Sequence, residues 1–185
     1  PVTEGLVGAR SGIRYGGTNV PSPEPDPPDA QLGRLLLSLP DGHREAVQSW
    51  VEGATLEGTF VFPKGADGLV LFAHGSGSSR HSPRNRYVAQ VFQAQGIATL
   101  LFDLLTRKEE AIDQYSGELR FDIPFLAKRL IGAARWSMGI PETKDLKVGY
   151  FGASTGAGAA LMAAAELPDV VSAVVSRGGR PDLAQ

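Results

Sequence analysis

The fold of this chain is decided by the stretch VGYFGASTGAG, which spans residues 148–158. Its first residues are apolar and predict a buried strand. Alanine-rich sequence follows and predicts a helix that runs through Leu161 and Met162. Between the two lies a tight turn with the pattern Gly-x-Ser-x-Gly at residues 152–156. The stretch therefore predicts a strand, a sharp turn that contains Ser154, and a helix.

The two glycines around Ser154 have a steric explanation. A serine in such a turn occupies strained backbone, and the residues two positions before and after it crowd the strand and the helix. Glycine at both positions removes the Cβ atoms that would clash. The helix behind the turn directs unpaired N–H groups toward the serine, which favours developing negative charge. This pattern is the nucleophile elbow, and it marks Ser154 as a candidate catalytic nucleophile.

Length and composition restrict the class of protein. The chain has 185 residues, of which 42% are hydrophobic and 21% charged, as expected for one globular domain with room for an appendage. A net charge of −2 gives no indication of nucleic acid or an anionic membrane as a partner. The absence of cysteine excludes disulfides, thiolate metal sites and a cysteine nucleophile. Without an apolar run of about 20 residues or a secretory signal, we expect a cytoplasmic protein.

The sequence divides into two parts. Residues 1–32 are rich in glycine and proline and predict an extended N-terminal segment, and residues 33–185 predict one domain. Residues 35–39 predict a short helical turn or strand, followed by a hairpin of strands at 46–51 and 56–62.

Beyond the hairpin, apolar strands alternate with helices. The strands are predicted at 69–73, 97–102, 147–151 and 170–175. A helix begins at Pro83 behind Ser82, and its buried face is predicted to contain Tyr87, Val88, Val91 and Phe92. A charged segment at 107–110 precedes a helix opened by Asp122 and Pro124, and the last helix covers 155–166. This order predicts an α/β fold, with three α/β/α layers and a mainly parallel, doubly wound sheet.

The loop after the first parallel strand is a candidate partner of Ser154. It reads His74-Gly75-Ser76-Gly77-Ser78-Ser79, and chemistry in such sheets belongs at the carboxyl ends of the strands. Its backbone N–H at Ser76 and the N–H of Thr155 are the predicted pair of oxyanion-binding donors. The alternative is a plain strand-to-helix connection made of small residues.

Taken together, these motifs resemble the α/β-hydrolase superfamily. The run from Ala73 to Asn85, with the motif at 149–156, is similar to the dienelactone-hydrolase-like branch, and to hydrolase domains sometimes fused to phosphoribosyltransferases. The resemblance covers about residues 45–183 and implies a serine hydrolase of esters or lactones. It does not cover the N-terminal segment, which contains no phosphoribosyltransferase motif.

The sequence departs from that family in two ways. Dienelactone hydrolases use a cysteine nucleophile, so Ser154 has to serve here. The family also supplies its catalytic acid and histidine after the nucleophile, yet none of residues 155–185 is a histidine. Three explanations stay open: the chain is an incomplete part of a longer hydrolase, a second chain completes the site, or the chain is a non-catalytic hydrolase-fold binding module. A truncated sheet would expose the strand at 170–175 and predicts self-association.

Other polar residues have weaker assignments. His43 is expected to be solvated, and His74 is expected to bind neighbouring backbone. His81 is a candidate substrate contact, while Asp182 is either the acid of a triad or a solvated loop residue. Arginines near the site predict an anionic ester or lactone, with Arg80 as a candidate substrate-binding residue. The other arginines near the predicted site are Arg84, Arg107, Arg177 and Arg180.

No metal or cofactor is implied by these patterns. The glycines of residues 152–158 also resemble the dinucleotide-binding turn of short-chain dehydrogenases, which leaves an NAD(P)-binding protein as an alternative. The position of the motif late in the chain argues against it, because a dinucleotide turn follows the first strand of its domain.

Overall fold

A computed structural model of the chain describes residues 44–51, 54–179 and 182. The predicted extended segment at 1–32 and the predicted short element at 35–39 lie outside the described residues. Both strands of the predicted hairpin are confirmed, with small shifts of their ends.

In the described part of the chain, one six-stranded sheet forms the centre of the fold. Its strands are β1 (Arg44–Val51), β2 (Ala54–Val61), β3 (Gly68–Ala73), β4 (Ala98–Phe102), β5 (Lys147–Ala153) and β6 (Val171–Arg177). They lie in the order β1-β2-β4-β3-β5-β6. The β1–β2 and β2–β4 pairs are antiparallel, while β3 pairs in parallel with β4 and β5, and β5 with β6. The predicted mainly parallel sheet with an antiparallel hairpin is therefore confirmed.

Within the described residues, four α-helices connect the strands. They are α1 (Pro83–Ala94), α2 (Arg107–Ser116), α3 (Ile123–Met138) and α4 (Thr155–Glu166), and a short 3₁₀-helix at Leu119–Phe121 lies between α2 and α3. Helix α1 begins as predicted, because the Ser82 side chain accepts a hydrogen bond from the N–H of Asn85. Helix α3 begins behind Asp122, whose side chain accepts the N–H of Phe125. None of the helices within the described residues is both long and apolar enough to cross a lipid bilayer.

Helices cover both faces of the sheet, and alternate residues of β3 face opposite cores. On β3, Leu71 packs in the larger core together with α3 and α4. Its neighbour Phe72 packs in the smaller core with Ala89 of α1 and Phe151 of β5. This alternation follows from the two-residue period of a strand, and it gives the predicted three-layer arrangement.

Two details differ from the sequence prediction. In α1, Val88 and Phe92 face the core as predicted, but Tyr87 is 68% and Val91 49% exposed. These two were wrongly placed, because Asn85 and Ala89 occupy the inward positions. The charged segment at 107–110 was not predicted to be helical, yet it forms the first turn of α2.

Candidate active site

Ser154 lies between β5 and α4 in strained backbone. Its φ of 52° and ψ of −121° make it the one non-glycine residue with positive φ among the described residues. This region of backbone conformation is rarely populated by residues that carry a Cβ atom. The side chain is exposed and makes no capping hydrogen bond to α4. An exposed hydroxyl is thus held at the amino end of a helix.

The glycines on either side of Ser154 allow two close approaches of the backbone. A Cβ atom on Gly152 would lie 2.5 Å from the Cα of Ala157, at the start of α4. A Cβ atom on Gly156 would lie 2.4 Å from the carbonyl oxygens of both Ala73 and His74, at the end of β3. Both contacts are with backbone, which cannot move aside locally. The steric reason predicted for the Gly-x-Ser-x-Gly spacing therefore agrees with the geometry.

The loop after β3 lies directly against this turn. A Cβ atom on Gly75 would lie 3.1 Å from the Cβ of Ser154. The next backbone N–H, that of Ser76, donates a hydrogen bond to Oγ1 of Thr155 over 3.0 Å. The residues of the two predicted oxyanion donors are thus brought into contact, and the N–H of Ser76 is engaged by the hydroxyl of Thr155.

His74 has the structural role expected from the sequence. Its Nδ1 lies 3.0 Å from the carbonyl oxygen of Gly75, and its Nε2 accepts the N–H of Leu104 over 3.1 Å. These partners require a neutral ring protonated at Nδ1. Burial lowers the pKa of His74, against the opposing effects of the Gly75 hydrogen bond and nearby carboxylates. This histidine ties the loop after β3 to the loop after β4 and is not available as a base.

A cavity of about 550 Å³ opens beside Ser154. Two of the arginines singled out in the sequence, Arg84 and Arg177, line it together with Asn85. Nε of Arg177 and Oδ1 of Asn85 are both buried without a hydrogen-bond partner among the described residues. Only 3% of Asn85 is exposed. The cavity thus combines the candidate nucleophile with cationic and neutral polar side chains.

Arg80 lies outside that cavity in an ion-pair network. Its guanidinium binds Asp103 and, over 2.7 Å, Glu57. Its backbone N–H also donates to Asp103. Arg107 pairs with the same Glu57, and hydrogen bonds from Arg107 and Arg80 lower the pKa of Glu57 despite partial desolvation. These carboxylates already satisfy the charge of Arg80, which argues against the predicted anion-binding role of this residue. Arg180 lies outside the described residues.

His81, the second predicted substrate contact, lines a neighbouring cavity of about 740 Å³. The two cavities share Ser78, Ser82 and Pro83 in their linings. His81 itself is exposed, and its backbone N–H donates to Oγ of Ser79. Asp182 is exposed as well. Within the described parts of the chain, no group of three or more acidic or histidine side chains is arranged to hold a metal ion.

Sequence reasoning missed three features of this site. It did not identify Asn85, the partnership of Glu57 with Arg80, or the contact of the Thr155 hydroxyl with Ser76. The last two contacts join residues that are 23 and 79 positions apart, so no local sequence pattern predicts them. For Asn85 the one available signal was its position in the first turn of a helix at the carboxyl end of the sheet.

Similar proteins identify the class of fold to which the chain belongs. The structure of dienelactone hydrolase from Anabaena variabilis is 63% identical, with a TM-score of 0.76, and the match covers 78% of this chain and 67% of that one. The Pyrococcus furiosus esterase PF2001 is 21% identical with a TM-score of 0.61, covering 75% and 51% of the two chains. At this lower identity the similarity extends to the fold alone. No protein-family model matches the chain.

Curated relatives come from two strains of Mycobacterium tuberculosis. Each is 56% identical over 140 residues, a match that covers 76% of this chain and 31% of the relative. Both carry the name "putative phosphoribosyl transferase". The chain thus spans about a third of the length of the curated relatives that it matches.

The sheet order and the crossover helices are those of an α/β hydrolase. With 63% identity over two thirds of a dienelactone hydrolase, the chain belongs to the dienelactone-hydrolase-like branch of that superfamily.

Proposed function

We propose that the chain provides the nucleophilic part of a serine hydrolase that acts on an ester or a lactone. The observation that carries this proposal is the exposed Ser154, held in strained backbone at the amino end of α4. The membership of the dienelactone-hydrolase-like branch supports the same reaction class. A dinucleotide-binding protein is disfavoured by that membership and by the position of the motif at β5 rather than at the first strand.

The proposed reaction is acyl transfer to water. Oγ of Ser154 attacks the carbonyl carbon of the substrate and loses its proton to a base, and the carbonyl oxygen becomes an oxyanion. The N–H groups of Ser76 and Thr155 donate hydrogen bonds to that oxyanion. The carbon–oxygen bond to the leaving alcohol then breaks, the alcohol takes up the proton, and water hydrolyses the acyl-serine.

This mechanism needs a base that the described residues do not supply. His74 is bound on both ring nitrogens by backbone, and His81 lines the neighbouring cavity. Without a base, a serine hydroxyl is a weak nucleophile at neutral pH. We therefore propose that the general base comes from residues outside those described here, in a longer protein or in a second chain.

The second candidate function is a non-catalytic binding module with the hydrolase fold. One observation favours it: no histidine of the described residues is available to Ser154. The two candidates differ in whether Ser154 becomes reactive once a base is provided.

Imidazole in solution can stand in for the missing base and separates the two candidates. We would incubate the chain with a fluorophosphonate, with and without imidazole, and measure the intact mass. A serine hydrolase should gain one phosphonyl group in the presence of imidazole, and the matched control Ser154→Ala should gain none. A chain that remains unmodified at every imidazole concentration would refute the hydrolase proposal and leave the binding module.

For the substrate, we propose an anionic ester or lactone. Arg84 and Arg177 line the cavity beside Ser154, and the buried Nε of Arg177 has no hydrogen-bond partner among the described residues. A carboxylate in the cavity would provide that partner and pair with both cations. A transferase activity, if the mycobacterial relatives have one, belongs in our proposal to the part of those proteins that this chain does not match.

Binding of product-like probes tests the charge preference without requiring catalysis. Phenylacetate should shift the NMR signals of residues around this cavity at concentrations where the neutral phenylacetamide does not. Arg177→Gln should weaken phenylacetate binding severalfold, because one cation is lost. Arg135→Gln, which changes an exposed arginine on α3, is the control and should bind as before. Equal binding of the two probes would refute the anionic substrate.

A further inference from the structure

The hydroxyl of Thr155 joins two segments that are distant in the sequence. Its Oγ1 accepts the N–H of Ser76 over 3.0 Å, across 79 positions of the chain. Thr155 is the first residue of α4, and only 6% of it is exposed. The acceptor is therefore held on a helix and inside the protein, whereas the donor belongs to a loop.

The peptide group between Gly75 and Ser76 is held from two sides. The Ser78 N–H and the His74 ring both form hydrogen bonds with its carbonyl oxygen. Its N–H lies in the same plane as that carbonyl, points the opposite way and donates to Thr155. Glycines flank Ser76 on both sides, and Gly77 adopts a φ of 70°. The loop backbone is therefore conformationally permissive, and the bond to Thr155 ties this peptide group to the turn at Ser154.

The position of the acceptor relates this contact to Ser154. Thr155 directly follows the candidate nucleophile, and its own N–H is one of the helix-initial donors that lack an intrahelical partner. Its side chain is short and β-branched, so few rotamers compete with the observed one. A hydrogen bond from Ser76 to this side chain holds the second donor of the proposed oxyanion site beside the first.

We propose that the Thr155 hydroxyl is a positioning residue that aligns the N–H of Ser76 for the oxyanion. This inference rests on the proposed hydrolase function. The oxyanion shares the Ser76 hydrogen with Oγ1 in a three-centre hydrogen bond, an arrangement that is common at helix termini. Thr155 thus contributes through its side chain as well as through its backbone, and no bond to the substrate forms or breaks at the hydroxyl.

Two substitutions at Thr155 separate alignment from packing. Thr155→Val keeps the shape and removes the acceptor, and Thr155→Ser keeps the acceptor and removes a methyl group. We would measure the rate of phosphonylation of Ser154 in the presence of imidazole, and the amide hydrogen exchange of Ser76. Because losing an oxyanion donor costs roughly 10²–10³ in rate, misaligning one should slow Thr155→Val by about tenfold or more. The phosphonylation rate of Thr155→Ser should stay within about threefold of the rate of the parent chain.

The measurement of amide hydrogen exchange does not depend on the reactivity of Ser154. In the parent chain the Ser76 amide should exchange more slowly than the amide of Gly77, and this protection should be lost in Thr155→Val and kept in Thr155→Ser. Equal exchange of Ser76 and Gly77 in the parent chain would overturn the proposal even if the valine variant does not fold. The proposal would also be overturned if Thr155→Val were phosphonylated at an unchanged or faster rate, or if phosphonylation slowed equally in both variants.

Failure of the hydrolase proposal gives a different result. In that case Ser154 of the parent chain stays unmodified with imidazole, while protection of the Ser76 amide still reports whether Thr155 orients the loop.

Discussion

The backbone N–H of Ser154 donates a hydrogen bond to the carbonyl oxygen of Arg177, 3.3 Å away at the end of β6. The strained turn is therefore tied to the strand that lies next to β5 in the sheet. The hydrogen bond and the packing of α4 hold Ser154 at a positive φ that an isolated serine would leave. The strain is a property of this position, and it should be measurable in the stability of the chain.

Replacing Ser154 with glycine should stabilise the protein relative to replacement with alanine. Both substitutions remove the hydroxyl, but alanine keeps the Cβ atom that is unfavourable at this φ and ψ, and glycine removes it. We expect Ser154→Gly to unfold with a free energy about 1 kcal/mol or more above that of Ser154→Ala. Urea unfolding followed by circular dichroism would measure the difference. An alanine variant as stable as the glycine variant would show that the turn is not strained.

Gly152→Ala should destabilise the chain by about 2 kcal/mol or more, because the new Cβ atom would overlap the backbone of Ala157. Gly68→Ala is the matched control, since its Cβ atom would lie at an ordinary 3.5 Å from the nearest atom, the carbonyl oxygen of Lys147. We expect the control to change the unfolding free energy by less than about 1 kcal/mol. Similar losses in the two variants would contradict the steric explanation of the Gly-x-Ser-x-Gly spacing.

Most of the fold could be predicted because its signals are local. Apolar runs identified the parallel strands, and Ser82 and Asp122 identified the starts of α1 and α3. Helix α2 was missed although its signal was present: Thr106 and Glu109 form a capping box, with each side chain accepting the backbone N–H of the other residue. This three-residue spacing overlaps the charged segment at 107–110, which was not predicted to be helical.

The predicted geometry of the turn at Ser154 agrees with the structure, whereas the long-range contacts around the turn were not predicted. The turn and its glycines follow from one strand-to-helix connection. By contrast, the charge of Arg80 in the loop after β3 is satisfied by Glu57 of β2, and the cavity at Ser154 combines Asn85 of α1 with Arg177 of β6. Such neighbours are decided by the order of strands in the sheet, which the sequence pattern left open.

The stability of the chain should decrease as His74 becomes protonated. Burial lowers the pKa of His74 in the folded state, whereas an unfolded histidine titrates near pH 6.5. The stabilising contribution of the neutral ring is thus fully present above about pH 6.5 and is lost as the pH falls through the lower folded-state pKa. A single group can change the unfolding free energy by up to about 1.4 kcal/mol per pH unit.

Unfolding curves between pH 7.5 and 5 would measure this dependence. His74→Gln should weaken the dependence, since glutamine does not titrate, and the exposed His81→Gln is the control that should leave the dependence of the parent chain in place. If the parent chain and His74→Gln respond equally to pH, the neutral buried ring is not the cause.

Strand β6 should mediate self-association of this chain. Among the described residues it pairs with β5 alone, and Val175 on it is 46% exposed. An open strand edge with apolar side chains is a template for pairing with another chain. We expect the apparent mass in size-exclusion chromatography to rise with concentration and Val175→Lys to suppress the rise, because a charge opposes pairing. Ile112→Lys, at another exposed apolar residue on α2, should not suppress it. A mass that stays monomeric at every concentration would count against association through β6.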